Sequence, residues 1–149
     1  MEQPSDPADS TYPPEQPLPR DALPRQRTTG IVYRLGSRSL NNLTPKLKDL
    51  KGQPGLRQPG LSTLEHLRAN EEGVAIDLGL LSHPLRAFPD DPRAEGRPGH
   101  VSIAPVNESG EVDLPQLLTW VNSRESGFGH PFTQFLLDAI LPGKRRGPL

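Results

Sequence analysis

Seven of the first 29 residues are proline, namely Pro4, Pro7, Pro13, Pro14, Pro17, Pro19 and Pro24, and only six are apolar. Such a segment has too little apolar surface to offset the cost of ordering it, about 1–2 kcal/mol per backbone residue. Residues 1–29 are therefore expected to form a disordered, proline-rich tail. Residues 142–149, around Lys144-Arg145-Arg146, read as a basic, solvated C-terminal tail. A chain of 149 residues holds one ordinary domain and not two. That domain is expected to span residues 30–141.

Its core must come from Leu, Ile, Val and Phe, because the chain has one Trp and one Met. The formal net charge is −1, and residues 30–149 hold 14 bases against 13 acids. That balance argues against the clustered cationic face of a nucleic-acid binder. The chain has no cysteine, so thiol catalysis, disulfides and thiolate metal sites are excluded. His66, His83, His100 and His130 show no metal-ligand spacing. The N-terminus lacks the charged-then-apolar pattern of a signal peptide, and no apolar run approaches the length of a membrane span. These features predict a soluble protein with no membrane partner, either cytoplasmic or secreted by a signal-peptide-independent route.

Gly30-Ile31-Val32-Tyr33-Arg34-Leu35 reads as the first strand from its β-branched and aromatic content. Residues 36–60 follow without periodicity, carrying Lys46, Lys48 and Lys51. Loops of that length inside a small domain are usually functional or mobile. Ser62 and Glu65 have the spacing of a capping box, which predicts a short helix carrying Leu64 and Leu67. Val74 to Leu78 is a second strand, in which Asp77 reads as an edge or turn-anchoring acid. Residues 82–99 form another long loop, and His100 to Ala104 a third strand. Further short strands can lie within the loops. Asp113 is a good N-cap for a helix to about Ser123, with Trp120 as core. Gly127-Phe128-Gly129 breaks it, and His130-Pro131 starts a last helix that Pro142-Gly143 stops. The expected fold class is α+β: a small, twisted, mostly antiparallel sheet with two or three helices on one side.

No P-loop, dinucleotide-binding glycine fingerprint, nucleophile-elbow serine or zinc-protease helix is present. What remains is an ordered series of polar residues on short segments. They are Val-Tyr-Arg at 32–34, Gly-Leu-Ser-Thr-Leu-Glu at 60–65 and Gly-His-Val-Ser-Ile-Ala-Pro at 99–105. This series resembles the ADP-ribosyltransferase-like toxin domains of bacterial type VI secretion and polymorphic toxin systems. Leu118 to Ser126-Gly127 with His130-Pro131-Phe132-Thr133-Gln134 is similar to C-terminal domains of RHS-repeat-associated toxins.

The resemblance implies an ADP-ribosyltransferase-like fold and cleavage of NAD, as substrate, at the nicotinamide–ribose bond. It implies a toxin or effector acting inside a target cell, with a cognate immunity protein and a protein or nucleic-acid acceptor. It places Tyr33 and Arg34 in NAD binding, with the Arg34 guanidinium on the pyrophosphate, since a planar fork matches phosphate oxygens. Ser62 and Thr63 would brace the nicotinamide-ribose pocket. A carboxylate would face the oxocarbenium-like transition state. The expected Gln-x-Glu or Glu-x-Glu pair is missing, so Glu111, beside Glu108 on a turn, is the nearest candidate and Glu125 a weaker one. His100, with an unperturbed pKa of about 6.5, is placed in acid–base work. Arg34, Ser62 and His100 should then converge on one cleft, and finding Arg34 and Ser62 on opposite faces of the fold would sink this reading.

Simpler roles fit the same residues: Arg34 in a surface ion pair, Ser62 as a helix cap, His100 as a hydrogen-bonded structural group. Two other functions stay open. One is a non-catalytic interaction module that uses the proline-rich tail for docking. The other is a small RNase-type toxin, favoured by His100 and the lysines of 46–51 but disfavoured by the near-neutral charge.

Overall fold

A computed structural model describes residues 24–123 and 131–148. The expected tail up to residue 23, the Gly127-Phe128-Gly129 break, His130 and Glu125 lie outside the described residues.

The fold is α+β. Six strands form one sheet: β1 (Ile31–Leu35), β2 (Leu61–Leu64), β3 (Glu72–Asp77), β4 (Leu85–Pro89), β5 (His100–Pro105) and β6 (Arg145–Arg146). Their spatial order is β4-β5-β2-β1-β3-β6, and every recorded pairing is antiparallel. Two helices, α1 (Leu114–Ser123) and α2 (Pro131–Leu136), complete it.

Residues directly opposite in an antiparallel pair share a face, and successive residues alternate. One face carries Val32, Leu61, Val74, Ile76, Ala87, Val101 and Ile103, all fully buried. They form one core with Trp120 of α1 and Phe132 and Leu136 of α2. Trp120 meets Phe132 edge-on at 6.1 Å and lies 5.8 Å from Phe135. Asp113 caps α1 as its spacing predicts, accepting the Gln116 N–H at 3.0 Å. Asp77 anchors a turn by accepting the Gly79 N–H at 2.9 Å.

Four expectations are corrected. Ser62 to Glu65 opens no helix: Leu61–Leu64 is β2, paired residue for residue with His100–Ile103. The capping box is displaced because β5 satisfies the backbone instead. The Glu65 N–H donates to Gly99 O at 2.8 Å, and the Ser62 hydroxyl meets His100. The 82–99 loop contains β4, an edge strand bracketed by Pro84 and Pro89, a position where missing N–H donors are tolerated. The basic C-terminus is not merely solvated. Arg145–Arg146 pairs with Glu72–Gly73, and Lys144 and Arg146 lie 3.0 and 3.1 Å from the Glu72 carboxylate. Finally, Arg27, within the expected tail, donates its backbone N–H to Ala87 O at 2.9 Å and pairs its side chain with Glu65.

One glycine fixes the approach of β2 to β5. Gly60 has φ +145°, and a Cβ there would lie 2.5 Å from Ile103 O. Any side chain would push β2 away from its partner.

Candidate functional site

The face of the sheet opposite the helices is where the polar residues gather. Tyr33 pairs with Leu64 and Leu64 with His100, so the three lie in one cross-strand row on that face. Ser62, two residues before Leu64, shares it. His100 Nε2 lies 2.9 Å from Ser62 Oγ, and His100 Nδ1 lies 3.0 Å from Asp90 Oδ1. The other Asp90 oxygen accepts two bonds from Arg57, Nε at 2.9 Å and Nη2 at 2.7 Å.

Four side chains thus form a continuous hydrogen-bonded series from Arg57 through Asp90 and His100 to Ser62. A carboxylate has no proton to give, so Nδ1 of the neutral imidazole carries the hydrogen and Nε2 accepts from the Ser62 hydroxyl. Burial pushes the His100 pKa below its ordinary value, and the Asp90 charge and hydrogen bond offset part of that. Burial thus favours the neutral imidazole, whose Nε2 faces the Ser62 hydroxyl and can serve as a proton acceptor.

Two cavities share His100 as a wall. One, of about 390 Å³, is also lined by Glu65, Asp90, Arg97 and Gly99. The other, of about 170 Å³, is lined by Ser62, Ser102, Asp49, Lys48, Lys51 and Arg57, among others. The first is in the size range of a small-molecule site.

Arg34 reaches this region from the other side. It pairs with Val74, so it leaves β1 on the core-facing side, opposite Ser62. The recorded ladder between β1 and β2 is the single pair Tyr33–Leu64. The guanidinium donates from Nη1 to Ser62 O at 3.0 Å and from Nε to Asn42 O at 2.8 Å. Burial lowers its pKa, and the nearby Asp49 charge works against that shift. Both bonds hold main chain, and Arg34 lines neither cavity beside His100.

The remaining sequence candidates separate. Thr63 is 1% exposed on the core side and donates its hydroxyl to Val101 O at 2.8 Å. Tyr33 lines a different depression, with His66, Leu67 and Arg146. Glu111 is exposed on the turn after β5, where its backbone N–H donates to Asn107 Oδ1 at 3.1 Å. His100 begins β5 and Pro105 ends it, about 16 Å away at strand rise. Glu111 lies beyond that far end and does not join His100.

Ser62 and His100 therefore share a cleft, but the expected convergence of all three residues is not met: Arg34 lies on the opposite face of the sheet and reaches Ser62 only through its carbonyl. Asp90, Arg57 and Asp49 complete the cluster and were not singled out from sequence. Asp90 and Asp91 are adjacent acids in a proline-rich segment, which resembles a solvated turn. Asp49 lies in a lysine-rich stretch. Only the pairing of β5 with β2 and the return of residues 45–60 bring them to Ser62.

Among the described residues no group of His, Asp or Glu is placed to hold a metal ion. None of the described helices is long and apolar enough to cross a membrane. No family model matches this chain, and no curated protein or solved structure matches it.

Proposed function

We propose that this domain is a bacterial toxin or effector that cleaves NAD at the nicotinamide–ribose bond, by ADP-ribosyl transfer or hydrolysis. One observation carries the reading: Ser62 and His100, far apart in sequence, are hydrogen-bonded to each other, and His100 forms a wall of two cavities. In this reading His100 Nε2 takes the proton of the attacking hydroxyl or water. Asp90 holds the imidazole in the required tautomer, and Arg57 holds Asp90. Arg34 is a positioning residue that fixes the Ser62 main chain from behind. A toxin of this kind is accompanied by an immunity protein that blocks the cleft.

The test is expression of the chain in a bacterium while growth and NAD content are followed, with nicotinamide release measured on purified protein. Wild-type chain should arrest growth and deplete NAD, and His100→Ala should do neither. Undiminished NAD in arrested cells would end the reading.

A second reading has its own observation. The order Ser62 Oγ–His100 Nε2 and His100 Nδ1–Asp90 Oδ1 is the hydrogen-bonding order of a serine-hydrolase triad. Covalent labelling of Ser62 by a fluorophosphonate, lost in His100→Ala, would favour acyl-transfer chemistry instead.

A further inference from the structure

NAD cleavage builds positive charge on the ribose, and Glu111 is too far from His100 to face it. Three acidic side chains lie nearer, and two are already committed. Asp90 spends one oxygen on His100 and the other on Arg57. Glu65 is paired with Arg27. The third is Asp49. It is only 5% exposed, yet it lines the smaller cavity together with Ser62 and His100. Its Oδ2 accepts the Lys46 N–H at 2.7 Å. Its other oxygen has no hydrogen bond among the described residues.

Asp49 is held by that one hydrogen bond and by the charge of Arg34, and its second oxygen is left for a ligand in the cavity beside it. Its charge is felt by both Arg34 and His100. The same cavity is lined by Lys48 and Lys51, neither of which has an ion-pair partner among the described residues. One acid and two available amines thus face one small space. That division of charge suits a substrate with a cationic sugar–base end and an anionic phosphate end.

We infer that Asp49 is the catalytic carboxylate that faces the positive charge developing on the nicotinamide ribose, with Lys48 and Lys51 taking the phosphates of the same NAD. This rests on the NAD reading given above. The glycosidic C1′–N bond breaks, and its electron pair leaves with neutral nicotinamide. The new C1′–O bond comes from water or an acceptor hydroxyl, whose proton passes to His100 Nε2. The Asp49 carboxylate stabilises the cationic sugar between the two events. Arg34, engaged with two carbonyls, is not needed for the phosphates.

The experiment measures nicotinamide release by the full chain, with binding of carba-NAD, whose carbocyclic ring cannot form an oxocarbenium ion and so resists cleavage, as the second readout. Asp49→Asn should lower kcat by about a hundredfold or more, as removal of one transition-state charge partner does. KM and carba-NAD affinity should stay within about fivefold, because the loss is confined to the transition state. Asn keeps an acceptor for the Lys46 N–H, and Asp49→Ser, which also keeps one, gives the same test if the Asn variant is poorly folded. Lys48→Ala with Lys51→Ala should raise KM about tenfold at unchanged kcat, the pattern of lost uniform binding. Wild-type cleavage with Asp49→Asn and Asp49→Ser both within threefold in kcat overturns the assignment and leaves the NAD reading standing. A wild-type chain that neither binds carba-NAD nor releases nicotinamide overturns the NAD reading, and the assignment with it.

Discussion

Ser62 and Thr63 are neighbours on one four-residue strand, and they live in different worlds. Thr63 points toward the helices, is 1% exposed, and gives its hydroxyl to the Val101 carbonyl. Ser62 points the other way and gives its hydroxyl to an imidazole on a cavity wall. Both hydroxyls bridge β2 to β5, at similar distances. The difference lies in the acceptor. A carbonyl can only hold, whereas a neutral imidazole can also take a proton. The division holds across the middle of the sheet: its helix-covered face is apolar there apart from Arg34 and Thr63, and its other face carries Ser62 and His100. The first face should govern stability and the second should govern chemistry, with β2 as the shared element.

The strongest challenge to that division is Phe132→Ala. Phe132 is fully buried, and its ring meets Trp120 across the helix layer. Truncation should destabilise the domain by about 3–5 kcal/mol, measured by urea unfolding. NAD cleavage per folded molecule should be unchanged. Equal loss of rate and stability would show that the two faces are not separable.

How far this division is legible in the sequence depends on the range of the contacts. Strands β1, β3 and β5 are legible because Val32-Tyr33, Val74-Ala75-Ile76 and Val101-Ser102-Ile103 carry their preference locally. So are Asp113 as a cap and Trp120 as core. Strand β2 is not legible, because Ser62-x-x-Glu65 offers a local capping box and only pairing with the distant β5 overrides it. The edge strands β4 and β6 are short and flanked by prolines or bases, which reads as loop. In the site, Ser62 and His100 stand out by residue type. Asp49, Asp90 and Arg57 do not, since nothing local distinguishes a buried acid from a solvated one.

The next effect in size is on the cleft face. His100→Ala should lower kcat for nicotinamide release by about a hundredfold or more, in the range for loss of a general base. Asp90→Asn should do less, since the imidazole remains and only its tautomer and orientation are loosened. Its signature is a changed pH–rate profile, because the Asp90 charge helps to keep the His100 pKa from falling further. The comparison would break if Asp90→Asn cost more activity than His100→Ala.

Thr63→Val probes the same strand from the closed side. The substitution nearly preserves volume but removes the donor to Val101 O, at a cost of about 1–2 kcal/mol. Thermal unfolding should register that loss while kcat and KM hold steady. A tenfold drop in rate would mean that β2 transmits its core-side packing to Ser62.

The smallest effect is a pH dependence of stability that belongs to the cleft face alone. His100 has its folded pKa lowered from about 6.5, chiefly by burial. Below 6.5 the unfolded chain therefore binds a proton that the folded chain still refuses. Stability is fully present above that pH and falls as pH drops through the folded value, where the loss ends. One group contributes at most about 1.4 kcal/mol per pH unit. The acids Glu71 and Asp91, held down to about 2 by Arg97 and Arg93, act in a separate and more acidic window. Urea unfolding between pH 8 and pH 5.5 should show wild-type stability declining, and His100→Gln should lack His100's part of that decline. Identical curves would mean that His100 is solvated in the folded chain, and the contrast between Ser62 and Thr63 would then lose its physical basis.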